Sequence, residues 1–149
     1  MEVRRRRQDQ GERVATHLHR YLNTVSLSSA EKAKHRLKLS EKYLAEAEEF
    51  LKRGDYVQAS EKGWSAAAEI VKALAAREGR ELRSRGELHK EIARLTIATG
   101  DDEVRRLWLS TAALHQNFYE NWLPPEIVEK NIEDVKKLIE KLKKLLQLH

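Results

Sequence analysis

The chain has 149 residues, 40% of them hydrophobic and 36% charged, with a formal net charge of +5 and no cysteine. A chain of this length forms one domain and buries roughly 68–70% of its unfolded surface, and its apolar content excludes a disordered polymer. The missing cysteines exclude disulfides and thiolate sites and point to a reducing, cytoplasmic setting, and no apolar run approaches the ~18 residues of a membrane-spanning helix.

Two prolines and few β-branched runs point to an all-α fold. Residues 1–11 hold Arg4, Arg5, Arg6 and Arg7 with almost nothing apolar to bury, so they read as a basic, disordered arm. Four consecutive guanidinium groups can neutralise nucleic-acid phosphates, although a charge run is more often a solvated terminus. Residues 12–149 then read as a single helical domain. Val14, Leu18, Tyr21, Leu22 and Val25 recur at helical spacing and predict a short extra helix from Glu12 to Asn23. His17 and His19, two apart, face different sides of it and make a poor metal pair.

Ser28 or Ser29 is placed to cap a second, long helix, along which Ala33, Leu37, Ser40, Leu44, Ala47 and Leu51 alternate at four and three. Gly54 ends it and Asp55 caps the next, so the two lie antiparallel across a short joint. The helix from Tyr56 to Arg77 is apolar on two neighbouring stripes. Ala59, Gly63, Ala66, Ile70 and Ala73 form one, and Trp64, Ala67, Val71 and Leu74 the other. Such a helix belongs at the centre, with close-packed partners on two sides.

Residues 77–86 form a polar, basic connection. A short inserted helix follows, with Leu88, Ile92 and Leu95 inward and Gly100 closing it. Asp101 and Asp102 cap the next helix at its positive end, and Val104, Trp108, Thr111, His115, Phe118 and Trp122 alternate along it. Pro124 and Pro125 separate it from the last helix, whose stripe is Val128, Ile132, Val135, Ile139, Leu142 and Leu146.

The run from His115 to Glu120 is the densest set of reactive groups: His115 and Tyr119 share a helix face, Asn117 points elsewhere, and the set suits a base or nucleotide by hydrogen bonding and stacking. Against this, His115 lies on the alternating stripe, where a histidine is commonly a core residue. Glu61, Lys62 and Lys72 are polar groups on the central helix, and they line either a pocket or its solvated edge. Arg77, Arg80, Arg83, Arg85, Lys90 and Arg94 are diluted by neighbouring acids. The chain has no phosphate-binding glycine loop, zinc-binding HExxH or nucleophile elbow, and neither a metal nor a cofactor is expected.

The block from Gly54 to Lys62, continued by Trp64, Ala66 to Ala68 and Val71 to Ala75, resembles the archaeal PaREP family. Leu114 to Trp122 resembles that family's second block, in the right order and separation. The resemblance implies an antiparallel helical bundle of the HEPN superfamily, commonly dimeric. Its members are often RNases, or nucleotide-binding partners of nucleotidyltransferases in toxin–antitoxin pairs. It also implies an archaeal source, which the Lys/Glu/Arg-rich, thermophile-like composition suits. The superfamily's RNases carry an arginine followed, after four to six residues, by histidine. Counting back from His115, the matching positions are Trp108, Leu109 and Ser110, and Arg106 is half a turn out of phase. The expectation is a non-catalytic protein that binds a nucleotide, nucleic acid or protein partner. The alternatives are a metal-independent RNase using His115 and a purely structural homodimer. Trp108, Trp122 and the last stripe supply the apolar surface for a two-fold dimer.

Overall fold

The computed structural model describes residues 11–147, with side chains from residue 28 onward. The run of four arginines, and the arm as an order–disorder expectation, lie outside the described residues. The described residues form five helices: α1 (Gly11–Lys52), α2 (Tyr56–Arg77), α3 (Arg85–Thr99), α4 (Asp102–Glu120) and α5 (Pro125–Gln147). No strand occurs among the described residues.

One boundary differs from the sequence reading. The separate helix over residues 12–23 and the cap at Ser28 or Ser29 merge into α1, a single helix of 42 residues. Between Gly11 and Gly54 there is neither glycine nor proline. Serine costs a helix interior only ~0.5 kcal/mol relative to alanine, too little to break it unaided. Ser29 is instead buried on the helix.

The joint after α1 is as expected. Gly54 takes φ 77°, the Asp55 N–H donates to the Phe50 carbonyl at 2.9 Å, and the Asp55 carboxylate accepts from the Gln58 N–H at 3.1 Å. The resulting hairpin of α1 and α2 is the most extensive pairing in the fold. The fully buried Ser40 hydroxyl fastens it by donating to the Ala66 carbonyl at 2.7 Å.

Every residue of the two α2 stripes is buried, and α2 packs against all four other helices. Gly63 explains how α4 and α5 both reach it, because a Cβ there would run into Ile132 of α5 and come within 3.2 Å of Leu114 Cδ1 of α4. Val128, Ile132, Val135, Leu138, Ile139 and Leu142 bury the inner face of α5. Arg77 donates to the Leu145 and Leu146 carbonyls, satisfying the free end of α5. Lys141 bridges α5 to the start of α4 through Asp101 at 2.7 Å and Glu103 at 3.0 Å.

The inward face of α4 is not the expected stripe. Val104, Leu107, Trp108, Thr111, Leu114 and Asn117 are buried, whereas His115 and Phe118 are half-buried. Trp122 lies past the helix end, because Asn121 takes φ 48° and terminates α4 two residues early. Trp108 and the α5 stripe are therefore consumed within one protomer. Among the described residues, the large apolar side chains left exposed are Ile97, Leu109, Tyr119, Trp122 and Ile127. No helix of the described residues is long and apolar enough to cross a membrane.

Candidate functional site

The small residues of α2 bring α4 close enough for aromatic rings from both helices to form a continuous series. Trp64 of α2 lies 5.2 Å from Trp108 and 4.7 Å from His115, centroid to centroid. His115 meets the edge of Tyr119 at 5.3 Å and 85°, and Tyr119 meets Phe118 at 5.0 Å. At the other end, the Trp108 indole N–H donates to His89 Nδ1 at 2.7 Å. That bond leaves the neutral His89 ring its proton on Nε2. The series runs from buried to open: Trp108 is core, while Tyr119 is 73% exposed.

Where it opens, Arg85, Ala112, His115, Gln116, Tyr119 and Glu120 line a shallow depression of about 660 Å³. Arg85 arrives there as the first residue of α3, whose start is fixed by the Ser84 hydroxyl accepting from the Glu87 N–H at 3.1 Å. Burial pushes the His115 imidazole below its ordinary value, the Arg85 charge pushes it further, and Glu61 opposes both. Burial and the Arg85 charge thus favour the neutral imidazole, the form in which one ring nitrogen accepts a proton or a hydrogen bond.

The six residues singled out on the two helices separate in space. His115 and Tyr119 share the depression, and Glu61 is near enough to act on His115 while accepting from the Ser65 hydroxyl at 2.9 Å. Lys62 turns toward α1, pairing with Glu46 at 3.1 Å and lying 5.1 Å from the Tyr43 ring. Lys72 stands eleven residues from Glu61, roughly 16 Å along the helix, beside Glu69. Asn117 is a core residue and cannot meet a ligand. Its amide donates to the Ser60 hydroxyl, and its oxygen accepts from the Trp122 and Leu123 N–H groups.

The basic segment also resolves into separate roles. Arg80 and Arg94 both bind the buried carboxylate of Glu91, at 2.8 and 2.5 Å, and Arg83 pairs with Glu81. Arg77 holds the end of α5. Arg85 and Lys90 have no ion-pair partner among the described residues, and Arg85 is the cation that reaches the His115 depression. On α4, Arg105 and Arg106 pair with Asp102 in the first turn, ten and nine residues before His115. In the sequence, Arg85 is one of a basic cluster diluted by acids and is not singled out for His115, and Trp64 reads only as core. Each looked ordinary beside its own neighbours, and only packing of α3 and α2 against α4 brings them to His115. Among the described residues no cluster of His, Asp or Glu could hold a metal ion.

Fold and site together define an all-α antiparallel bundle with an aromatic, cation-edged surface depression. The profile of the archaeal PaREP1/PaREP8 family matches residues 35–139, and the chain belongs to that family. It is similar to a crystal structure of a protein from Sulfolobus solfataricus, with 35% identity and a TM-score of 0.64. That likeness covers 72% of this chain and 96% of the other. Among curated proteins, nothing matches the chain.

Proposed function

We propose that the protein is a HEPN-like, non-catalytic binding protein whose His115 depression takes a nucleotide or the bases of single-stranded RNA. The observation that carries this reading is the graded ring series from Trp64 through His115 to the exposed Tyr119, with the unpaired Arg85 at its edge. Exposed ring faces stack bases at about 1–3 kcal/mol each, and an adjacent guanidinium supplies the phosphate contact. A nucleotidyltransferase partner in a toxin–antitoxin setting is compatible with such a role. Titration with a single-stranded oligoribonucleotide tests the reading, followed by tryptophan fluorescence, since Trp64 adjoins His115. Saturable quenching that Tyr119→Ala weakens about tenfold supports it. An unchanged spectrum in low salt would refute it.

One observation favours a second reading, a metal-independent RNase. His115 and Arg85 line the same depression and burial favours the neutral imidazole, so a base and a cation for the developing phosphate charge are near one another. The arginine comes from α3, outside the helical spacing of the superfamily signature. Cleavage of RNA by the parent and not by His115→Ala would establish this reading over the first.

A further inference from the structure

A second concavity, of about 620 Å³, lies between α1 and the connection from α2 to α3. Its walls bring together Lys32 and Arg36 of α1, Lys72 of α2 and Arg80 of the connection, over an apolar floor from Ala76 and Leu82. We propose that this groove binds a small organic phosphomonoester, the phosphate held by the cations and the organic part seated on Ala76 and Leu82. The site is distinct from the His115 depression and does not rest on the function proposed for it.

The arrangement of charge points to an anion. Glu69 is buried and is shared by Arg36 at 2.9 Å and Lys72 at 3.7 Å, so one carboxylate answers two cations. It also holds both side chains in place, which lowers the entropy lost when they grip a ligand. Arg80 is fixed by the buried Glu91 at 2.8 Å and by Glu78 at 2.6 Å, the two carboxylates that also hold Arg94, so this cluster is balanced in charge. Lys32 is exposed and has no ion-pair partner among the described residues. Of the two acids lining the groove, Glu81 is matched by Arg83 at 3.2 Å and only Glu31 is left over. With Arg80 already balanced, Lys32, Arg36 and Lys72 outnumber Glu31 and Glu69 by one, so the surplus is a single positive charge. A doubly charged phosphate oxygen cluster suits two or more converging cations better than a monovalent anion does. The volume falls in the range of ordinary small-molecule sites, about 300–1,000 Å³, and exceeds what a bare phosphate fills.

Isothermal titration calorimetry with phenyl phosphate tests this, with inorganic phosphate and phenol as the two half-ligands. The expected result is saturable binding of phenyl phosphate with Kd below ~1 mM, tighter than either half. Lys32→Glu and Lys72→Met should each raise that Kd about tenfold, while His115→Ala leaves it unchanged. Neither lysine is buried, and Arg36 still pairs with Glu69 in Lys72→Met, so both variants fold. A thermal melt confirms it. Absence of saturation by ~10 mM, binding indifferent to Lys32→Glu, or loss of binding in His115→Ala would each overturn the proposal.

Discussion

The Asn117 side chain of α4 donates to the Ser60 hydroxyl of α2 at 2.9 Å, joining residues 57 apart in the chain at a fully buried point. Ser60 in turn donates to the Tyr56 carbonyl at 2.7 Å, and Asn117 Oδ1 accepts from Trp122 and Leu123 N–H groups at 2.8 and 2.7 Å. One amide thereby locks α4 to α2 and shapes the turn into α5. Asn117→Ala strips partners from two backbone N–H groups and a buried hydroxyl. It should lower stability by about 2–4 kcal/mol in urea unfolding, with no change in the m-value.

Gly63 sits where α4 and α5 converge on α2. An alanine there gains roughly 1 kcal/mol of helix propensity but forces the buried Ile132 side chain to shift, at about 1–3 kcal/mol. Gly63→Ala should therefore be destabilising by about 1 kcal/mol. Ile132→Val removes the methyl in the way, so the double variant should be more stable than the two single losses sum to. Chemical denaturation of all four proteins measures that coupling.

Glu91 gives the fold an acid-sensitive joint. Burial alone would raise its carboxyl, but hydrogen bonds from Arg80 and Arg94 prevail and hold it at about 2. A carboxyl lowered in the folded state stabilises above its unfolded value near 4.5 and loses that contribution as pH falls toward 2. Because both arginines are partly exposed, the contribution is discounted to about 2 kcal/mol. Glu91→Gln should be destabilised by that amount at pH 7 and should show a shallower loss between pH 4.5 and 2 in pH-resolved thermal melts.

Of the side chains the sequence offered for self-association, Trp108 and the α5 stripe are spent in the core and Trp122 is left. Trp122 is 57% exposed at the turn between α4 and α5. A homodimer at micromolar concentration, weakened by Trp122→Ser, is the expected outcome in sedimentation velocity. A monomer in the parent protein contradicts it.

The fold was largely legible in the sequence because its strongest signals are local. Gly54, Gly100 and the prolines mark real ends, and the two stripes of α2 are both buried as their spacing requires. The serines at 28 and 29 misled, since a capping residue breaks a helix only where a stronger breaker or a tertiary contact helps it. The site was only half legible. His115 and Tyr119 share a helix face and could be paired by counting, whereas Arg85 and Trp64 join them only through packing. Asn117 was misread because counting gives direction around a helix and not what lies opposite: it faces Ser60, not solvent.

The most direct test incubates the pure protein with end-labelled single-stranded RNA, reading anisotropy for binding and a denaturing gel for integrity. The expected result is saturable binding that weakens with added salt and in Tyr119→Ala and Arg85→Glu, with the RNA left intact. RNA cut by the parent protein and spared by His115→Ala, or no binding even at low salt, would contradict it.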